Sequence, residues 1–405
     1  MEINKSEMLS AVNENLSAIL LEADMLSGEE AAAPIANIDG NRFLIELTQI
    51  DDSTSVAWIL QLLSEKLKLL RSLTGQGAPD RFSIGASLYP NDGEHAADLV
   101  DNAILAQTKA FELGGKKAFC MFSTEMASLA DQQLRLEKGI REALAINEFQ
   151  LHFQPIVNLV TGEVTGAEAL LRTSNSHLQN TPIDAVIEVA EKTGLIHELS
   201  DYVFRAAFSI INEWKSNGID LPLISINVSA EQLKSKDIIF NILEHIKTYR
   251  IDPASIQLEM TETAVVTDIR STSEILSTLQ NYGFHIALDD FGTGQSSLSH
   301  LLEINPDSIK IDKTFVHSLV TSRNNQVLVT TINELAQKIG AKVIAEGVET
   351  PEQLDMLMKI GCHYVQGYLV SMPLPAHVFK DWLVLFRNQR QQILLNPPDV
   401  ALGPF

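Results

Sequence analysis

Carboxylates recur at the ends of apolar, β-branched runs in the second part of this chain. Glu168 and Arg172 lie in GAEALLR, Asn227 closes the run in ISINVSA, and IQLEMTET carries Glu259 and Glu262. HIALDDFGTG ends in Asp289 and Asp290 before a glycine-rich loop, SIKID carries Lys310 and Asp312, VIAEGVE carries Glu346 and Glu349, and YVQGY carries Gln366. One strand-end carboxylate is ordinarily a helix cap or a surface charge; polar groups at seven strand ends, five of them with carboxylates, are not explained that way. Converging carboxylates repel one another and need counter-charge, which divalent cations supply. The set Glu168, Asn227, Glu259, Asp289 and Asp290 offers only oxygen, without Cys or paired His, and selects hard ions such as magnesium or manganese over zinc. Two such ions about 3.5–4 Å apart suit cleavage of a phosphodiester. Lys310 then orients the attacking water or stabilises developing charge, and Glu346 is a metal ligand or a base.

Those residues need a frame that brings strand ends together. From Gln150 onward the pattern predicts strands at 150–157, 164–172, 222–229, 255–262, 284–290, 308–312, 341–346 and about 363–368, with helical segments between most of them. Eight strands so spaced predict an α/β fold of the closed (β/α)8, TIM type, whose chemistry sits at strand ends. Only NLVTGEVTG separates the first two strands, too little for a parallel crossover, so that pair is expected to be an antiparallel hairpin. Upstream, residues 5–24 and 52–72 read as helices, and Asp39-Gly40-Asn41 marks a hairpin turn between Ile38 and the alternating Phe43, Ile45 and Leu47. A strand in RFSIGASLYP, a helix over 94–113 and a strand in AFCMF complete a small α+β unit. Thr124 to Asn147 reads as a connector helix with Leu129, Leu134, Leu136, Ile140 and Leu144 on its apolar side. The expected organisation is therefore 1–123, a connector at 124–147, a barrel at 148–385 and a partly disordered tail at 386–405 with helix-stopping prolines.

The chain has 405 residues, a length that predicts two domains. A formal charge of −22 argues against a nucleic-acid partner, because phosphate backbones are held by clustered Lys and Arg. Cys120 and Cys362 stand far apart and supply neither a disulfide framework nor a zinc set, which fits a reducing cytoplasm. No transmembrane segment or secretory leader is read, since charges interrupt every apolar run. The scattered histidines show no metal-binding spacing, and Met25, Met121 and Met126 read as packing residues.

FQPIV, Glu168-Ala169-Leu170, NVS, LEMTE, DDFGTG, KID, AEGVE and QGY occur in that order within about 137 to 385. This series resembles the EAL domain, the family of cyclic di-GMP phosphodiesterases. The resemblance implies a modified β/α barrel with an antiparallel first strand and metal-dependent hydrolysis of cyclic di-GMP to linear pGpG. It implies Glu168, Asn227, Glu259 and Asp289 as primary ligands of a two-metal magnesium or manganese site, and Asp290 as a ligand of the second ion. Lys310, Glu346 and Gln366 match the remaining catalytic polar set, and Glu262 matches the residue that holds the loop GTGQSSLSHL. Gln154 and Arg172 match substrate-contacting positions, Arg172 suiting bidentate phosphate binding, and Asp312, Glu349 and Gln366 are assigned to the substrate with them. A homodimer through this domain is implied as well. Two departures stand at the rim: Thr173 replaces the usual Trp, and SNSHLQN replaces a His-Pro stretch.

The amino-terminal unit resembles the later half of a GGDEF domain, the diguanylate cyclase family. Asp39-Gly40-Asn41-Arg42-Phe43 stands in place of its motif, with Asn41 where a metal-binding carboxylate belongs and Glu30-Ala31-Ala32-Ala33 where the inhibitory site would lie. Cyclase chemistry is thus expected to be lost, leaving a plain hairpin in a regulatory remnant. The family's first strand has no counterpart, so the resemblance implies either a shortened gene or part of a longer protein with sensory domains upstream. A silent cyclic di-GMP receptor signalling to a protein partner uses the same residues, and metal-dependent turnover separates it from the enzyme. A scaffold without ligand is disfavoured, because so many uncompensated charges destabilise a barrel.

Overall fold

The computed structural model describes residues 35–38, 42–47, 56–65, 82–113, 119–173, 178, 181–219, 221, 223–262, 264, 269–293 and 298–395. The expected helix over 5–24, the Asp39-Gly40-Asn41 turn, the Glu30–Ala33 stretch and the terminal prolines lie outside them. The chain divides into two compact units, Met1–Leu134 and Arg135–Phe405.

In the first unit β1 (Ile35–Asn37) pairs antiparallel with β2 (Phe43–Ile45), and the Ile38 amide donates to the Arg42 carbonyl at 2.9 Å. A helix spans 56–65. The strands β3 (Ile84–Ala86) and β4 (Phe119–Met121) pair in parallel, with the helix Ala96–Glu112 between them. Among its described residues the unit mixes helices with two separate two-stranded sheets.

The helix Thr124–Ala145 runs through the boundary between the units and ends two residues before the expected stop, where Asn147 takes a positive φ of 55°. Its expected apolar side holds only in the second half. Leu136 and Ile140 are buried with Phe149, Leu178 and Val186, whereas Leu129 and Leu134 are 54% and 65% exposed. Leu134 precedes Leu136 by two residues, a rotation of about 200°, and therefore faces away from that cluster.

In the second unit β5 (Phe149–Asn158), β6 (Glu163–Thr173), β7 (Ile224–Asn227), β8 (Ile256–Thr261), β9 (His285–Phe291), β10 (Ser308–Ile311), β11 (Lys342–Ala345) and β12 (Tyr364–Val365) are neighbours in that order. β12 pairs back onto β5, which closes an eight-stranded barrel. β5 is antiparallel to β6 and to β12, and the other barrel pairs are parallel. The short link explains the hairpin: Asn158 Oδ1 accepts from the Val160 and Thr161 amides, and Gly162 turns the chain with φ 66°.

Three boundaries differ from expectation. The strand expected over 363–368 is only Tyr364–Val365, because the chain bends at Gly367 against the Val348 backbone. A Cβ there would lie 2.2 Å from the Val348 carbonyl oxygen. A ninth strand, β13 (Leu374–Pro375), pairs with β5 and was not expected. The tail expected from 386 is a continuation of the helix Ala376–Leu395, since nothing in FRNQRQQILL interrupts a helix before Pro397. That helix is pinned to β5 by aromatic packing. Phe153 meets Trp214 edge-on at 4.6 Å, Trp214 stacks on Phe379 at 5.4 Å, and Trp382 stacks on Phe386 at 4.8 Å. Each fully buried aromatic contributes about 1.5–3 kcal/mol. Among the described residues no helix is long and apolar enough to cross a membrane.

Candidate metal centre and active site

Strand alternation decides which residues reach the barrel interior. Side chains two apart share a face, so Glu168 continues towards Leu170 and Arg172, Ser225 precedes Asn227, Gln257 precedes Glu259, and Ser308 precedes Lys310. Cross-strand registers align these faces: Gln154 stands opposite Glu168, Asn227 opposite Glu259, and Lys310 opposite Ile344, with Glu346 two residues further along the same face.

At the centre is Lys310, fully buried. Its Nζ lies 2.6 Å from Glu259 Oε2, 2.6 Å from Glu346 Oε1, 3.0 Å from Glu168 Oε2 and 3.4 Å from Asp289 Oδ1. Glu168 also accepts from Asn227 Nδ2 at 2.8 Å and Gln366 Nε2 at 2.7 Å. Gln366 Nε2 donates to Gln154 Oε1 at 3.0 Å, and Gln154 Nε2 donates to the Ser371 carbonyl at 3.0 Å. Among the described residues Gln366 Oε1 is buried without a hydrogen-bond partner, an acceptor open to a donor.

Asp289 and Asp290 are consecutive, and a regular strand would send them to opposite faces. The β9–β10 register resolves this: Leu288 pairs with Ile309 and Phe291 with Ile311, so β9 carries one extra residue opposite Lys310. Asp290 takes φ 53°, a left-handed conformation that Asp tolerates better than most side chains. The bulge brings Asp290 to the centre beside Asp289. Asp290 shares a hydrogen bond with Asp312, whose Oδ1 accepts from the Thr314 amide at 2.9 Å and from its hydroxyl. Glu262 Oε2 accepts from the Gly292 amide at 3.0 Å, which anchors the start of the loop after β9.

The electrostatics follow from crowding acids in a dry interior. Burial, then the charges of Glu168 and Asp289, outweigh Lys310 and push the Glu259 carboxyl up to about 7. Burial, Asp289 and Asp312 push Asp290 up to about 6. Burial raises Asp289, and Glu346 more strongly, with Lys310 opposing in both cases. Glu168 alone of the four carboxylates around Lys310 falls: burial raises it, but Lys310 and the amides of Gln366 and Asn227 together outweigh that. Lys310 is held well above its ordinary value, burial being overcome by the four carboxylates.

Of the sequence-predicted residues, Glu168, Asn227, Glu259, Asp289, Asp290, Lys310, Glu346, Gln154 and Gln366 come together. Arg172 stands four residues beyond Glu168 on the same strand face, half-buried, its Nη1 donating to the Leu171 carbonyl at 2.7 Å. Asp312 is the cap of the helix Lys313–His317, reaching the centre only through Asp290. Glu349 is outside it, 3.5 Å from His317 Nε2 and half-exposed. Three residues of the same interior were missed: Ser225, Gln257 and Ser308, linked beneath Glu259. Their signal in the sequence was a polar side chain two residues before each of Asn227, Glu259 and Lys310.

The oxygens fit hard divalent cations. One carboxylate oxygen each from Glu168, Glu259 and Asp289 lie within 4.8 Å of one another, and so do those of Asp289, Asp290 and Glu346. With all five carboxylates ionised and one ammonium among them, four net negative charges remain, which two divalent cations would cancel.

A profile of the EAL domain matches residues 137–373. The cyclic di-GMP phosphodiesterase NbdA of Pseudomonas aeruginosa is 33% identical over 385 residues, 94% of this chain and 47% of NbdA. The bifunctional diguanylate cyclase/cyclic di-GMP phosphodiesterase MucR of the same organism is 32% identical over 343 residues, 84% of this chain and 50% of MucR. This chain thus spans about half the length of the curated relatives it matches. Among solved structures, the PaMucR phosphodiesterase in complex with c-di-GMP superposes with TM-score 0.58 at 32% identity, over 60% of this chain and 99% of that one. The EAL enzyme Bd1971 in its cGMP-bound form superposes with TM-score 0.59 at 30% identity, over 64% of this chain and 70% of that one.

Proposed function

This chain belongs to the EAL domain family, and on that premise we propose that it hydrolyses cyclic di-GMP to linear pGpG at the Lys310 centre, using two magnesium or manganese ions. The observation that carries this reading is the pair of three-carboxylate groups sharing Asp289 around one buried lysine. Glu168, Asn227, Glu259 and Asp289 would hold one ion, and Asp289, Asp290 and Glu346 the other. Bound there, the ions supply the positive charge that a phosphodiester and its attacking water need. Lys310 Nζ keeps the four carboxylates apart from one another and presents a fixed cation to charge developing at phosphorus. Glu346 Oε1, 2.6 Å from Nζ, faces the same centre and serves either as that ligand or as the base that takes a proton from the water. Arg172 at the rim suits a phosphate oxygen, and the unpartnered Gln366 Oε1 suits a hydroxyl or N–H of the dinucleotide.

The amino-terminal unit serves in this reading as a GGDEF-like regulator without cyclase activity. Support comes from the relatives' alignments, which run well beyond the EAL match and include a bifunctional cyclase. Homodimerisation through the barrel, further domains upstream and a cytoplasmic setting belong to the same proposal. Incubation of the purified chain with cyclic di-GMP and magnesium or manganese, against calcium and chelator controls, tests it by chromatography. Linear dinucleotide appearing only with the active metals is expected; tight binding without turnover would replace the enzyme with a receptor.

A further inference from the structure

Directly beneath the candidate metal ligands lies a second, polar layer. Ser225 is paired in register with Gln257, one step below the Asn227–Glu259 pair, and Ser308 lies one inward step below Lys310. Barrel interiors are normally filled here by branched apolar side chains, yet Ser225, Gln257 and Ser308 are each no more than 2% exposed. Burying three polar groups is unfavourable unless each is satisfied. They satisfy one another and one thing more. Gln257 Nε2 donates to Ser225 Oγ at 2.9 Å and to Glu259 Oε1 at 3.1 Å, while its Oε1 accepts from Ser308 Oγ at 2.8 Å.

The orientation of this amide is dictated by its neighbours. Only an NH2 group can face an ionised Glu259, which turns Gln257 Oε1 towards the Ser308 hydroxyl. Glu259 is then gripped at both oxygens, Oε1 by Gln257 from below and Oε2 by Lys310 at 2.6 Å. Two anchors on separate oxygens fix the plane of a carboxylate that its own torsions would leave free to turn. We infer that Gln257, clamped between Ser225 and Ser308, is the positioning residue of the metal centre and aims Glu259 at its cation. The inference rests on the two-metal reading above.

Manganese binding to the full chain, measured by calorimetry without substrate, tests it together with the melting temperature of each metal-free protein. Gln257→Met keeps length and volume but removes both donors, and should raise the manganese dissociation constant about 10–100-fold. Ser308→Ala leaves the amide in place and frees its far end, and should raise the constant by less in the same direction. A lower melting temperature with an unchanged dissociation constant in Gln257→Met would mean a purely structural role and overturn the inference. If Gln257→Met does not fold, Ser308→Ala decides, and wild-type affinity there overturns it. Failure of the wild-type chain to bind manganese would sink the two-metal reading first, and this inference with it.

Discussion

Lys310 touches four carboxylates within 3.4 Å and is fully buried, so its charge matters to both folding and chemistry. Lys310→Ala leaves those acids facing one another. Breaking a buried ion network from one side costs about 3–5 kcal/mol, and the metal-free variant should melt correspondingly earlier in calorimetry. With metal and dinucleotide saturating, its kcat should fall about 100-fold or more while the KM changes little; a defect confined to KM would refute the role given to Nζ. Glu168→Ala and Asn227→Ala should act differently, since both would remove an oxygen from the ion proposed to lie there. Turnover should disappear at low manganese, and undiminished rates in a metal titration would reject both as ligands.

The element that builds the second half of the centre is the bulge in β9. Without its extra residue Asp290 would point out of the barrel, and the second three-carboxylate group would lose a member. Two residues on, Gly292 has φ 99°, and a Cβ there would stand 3.0 Å from the Phe315 ring. Gly292→Ala should therefore cost about 1–2 kcal/mol in thermal unfolding, from a left-handed conformation that L-residues resist. It should also disturb the amide that Glu262 holds, so turnover should drop together with stability. A variant with wild-type melting and activity would show that this loop entry tolerates another path.

At the scale of the whole molecule, the acidic interior ties stability to pH and metal. Glu259 is raised from 4.5 to about 7 and Asp290 from 3.8 to about 6. A carboxyl whose folded pKa is raised binds its proton more tightly when folded. Its contribution is complete below the unfolded pKa and is lost as pH rises through the folded value. The metal-free protein should thus lose melting temperature between about pH 4.5 and 7, and saturating magnesium should flatten that slope. Glu259→Gln should flatten it as well. A metal-free melting temperature that rises over this window, or a slope indifferent to magnesium, would contradict the charge balance proposed for the centre.

Local rules made much of this legible beforehand. Alternation in strands places Glu168, Glu259 and Lys310 on one face from sequence alone, and a link as short as NLVTGEVTG permits only a hairpin. Gln154, Glu168, Asn227, Glu259 and Lys310 meet for that reason. What depended on partners distant in the chain was not legible. Asp289 and Asp290 could both reach the centre only because β10 takes one residue where β9 takes two, which is a property of the pair and not of either strand. Asp312 and Glu349 sit in strand-end motifs like the others, yet the helix after β10 claims Asp312 as its cap and Glu349 turns towards His317. Gln257 is one of three alternating polar residues in β8, and only the fold sets Ser225, Ser308 and Glu259 around its amide. Periodicity determines which face a side chain takes; only the closed barrel decides what stands opposite it.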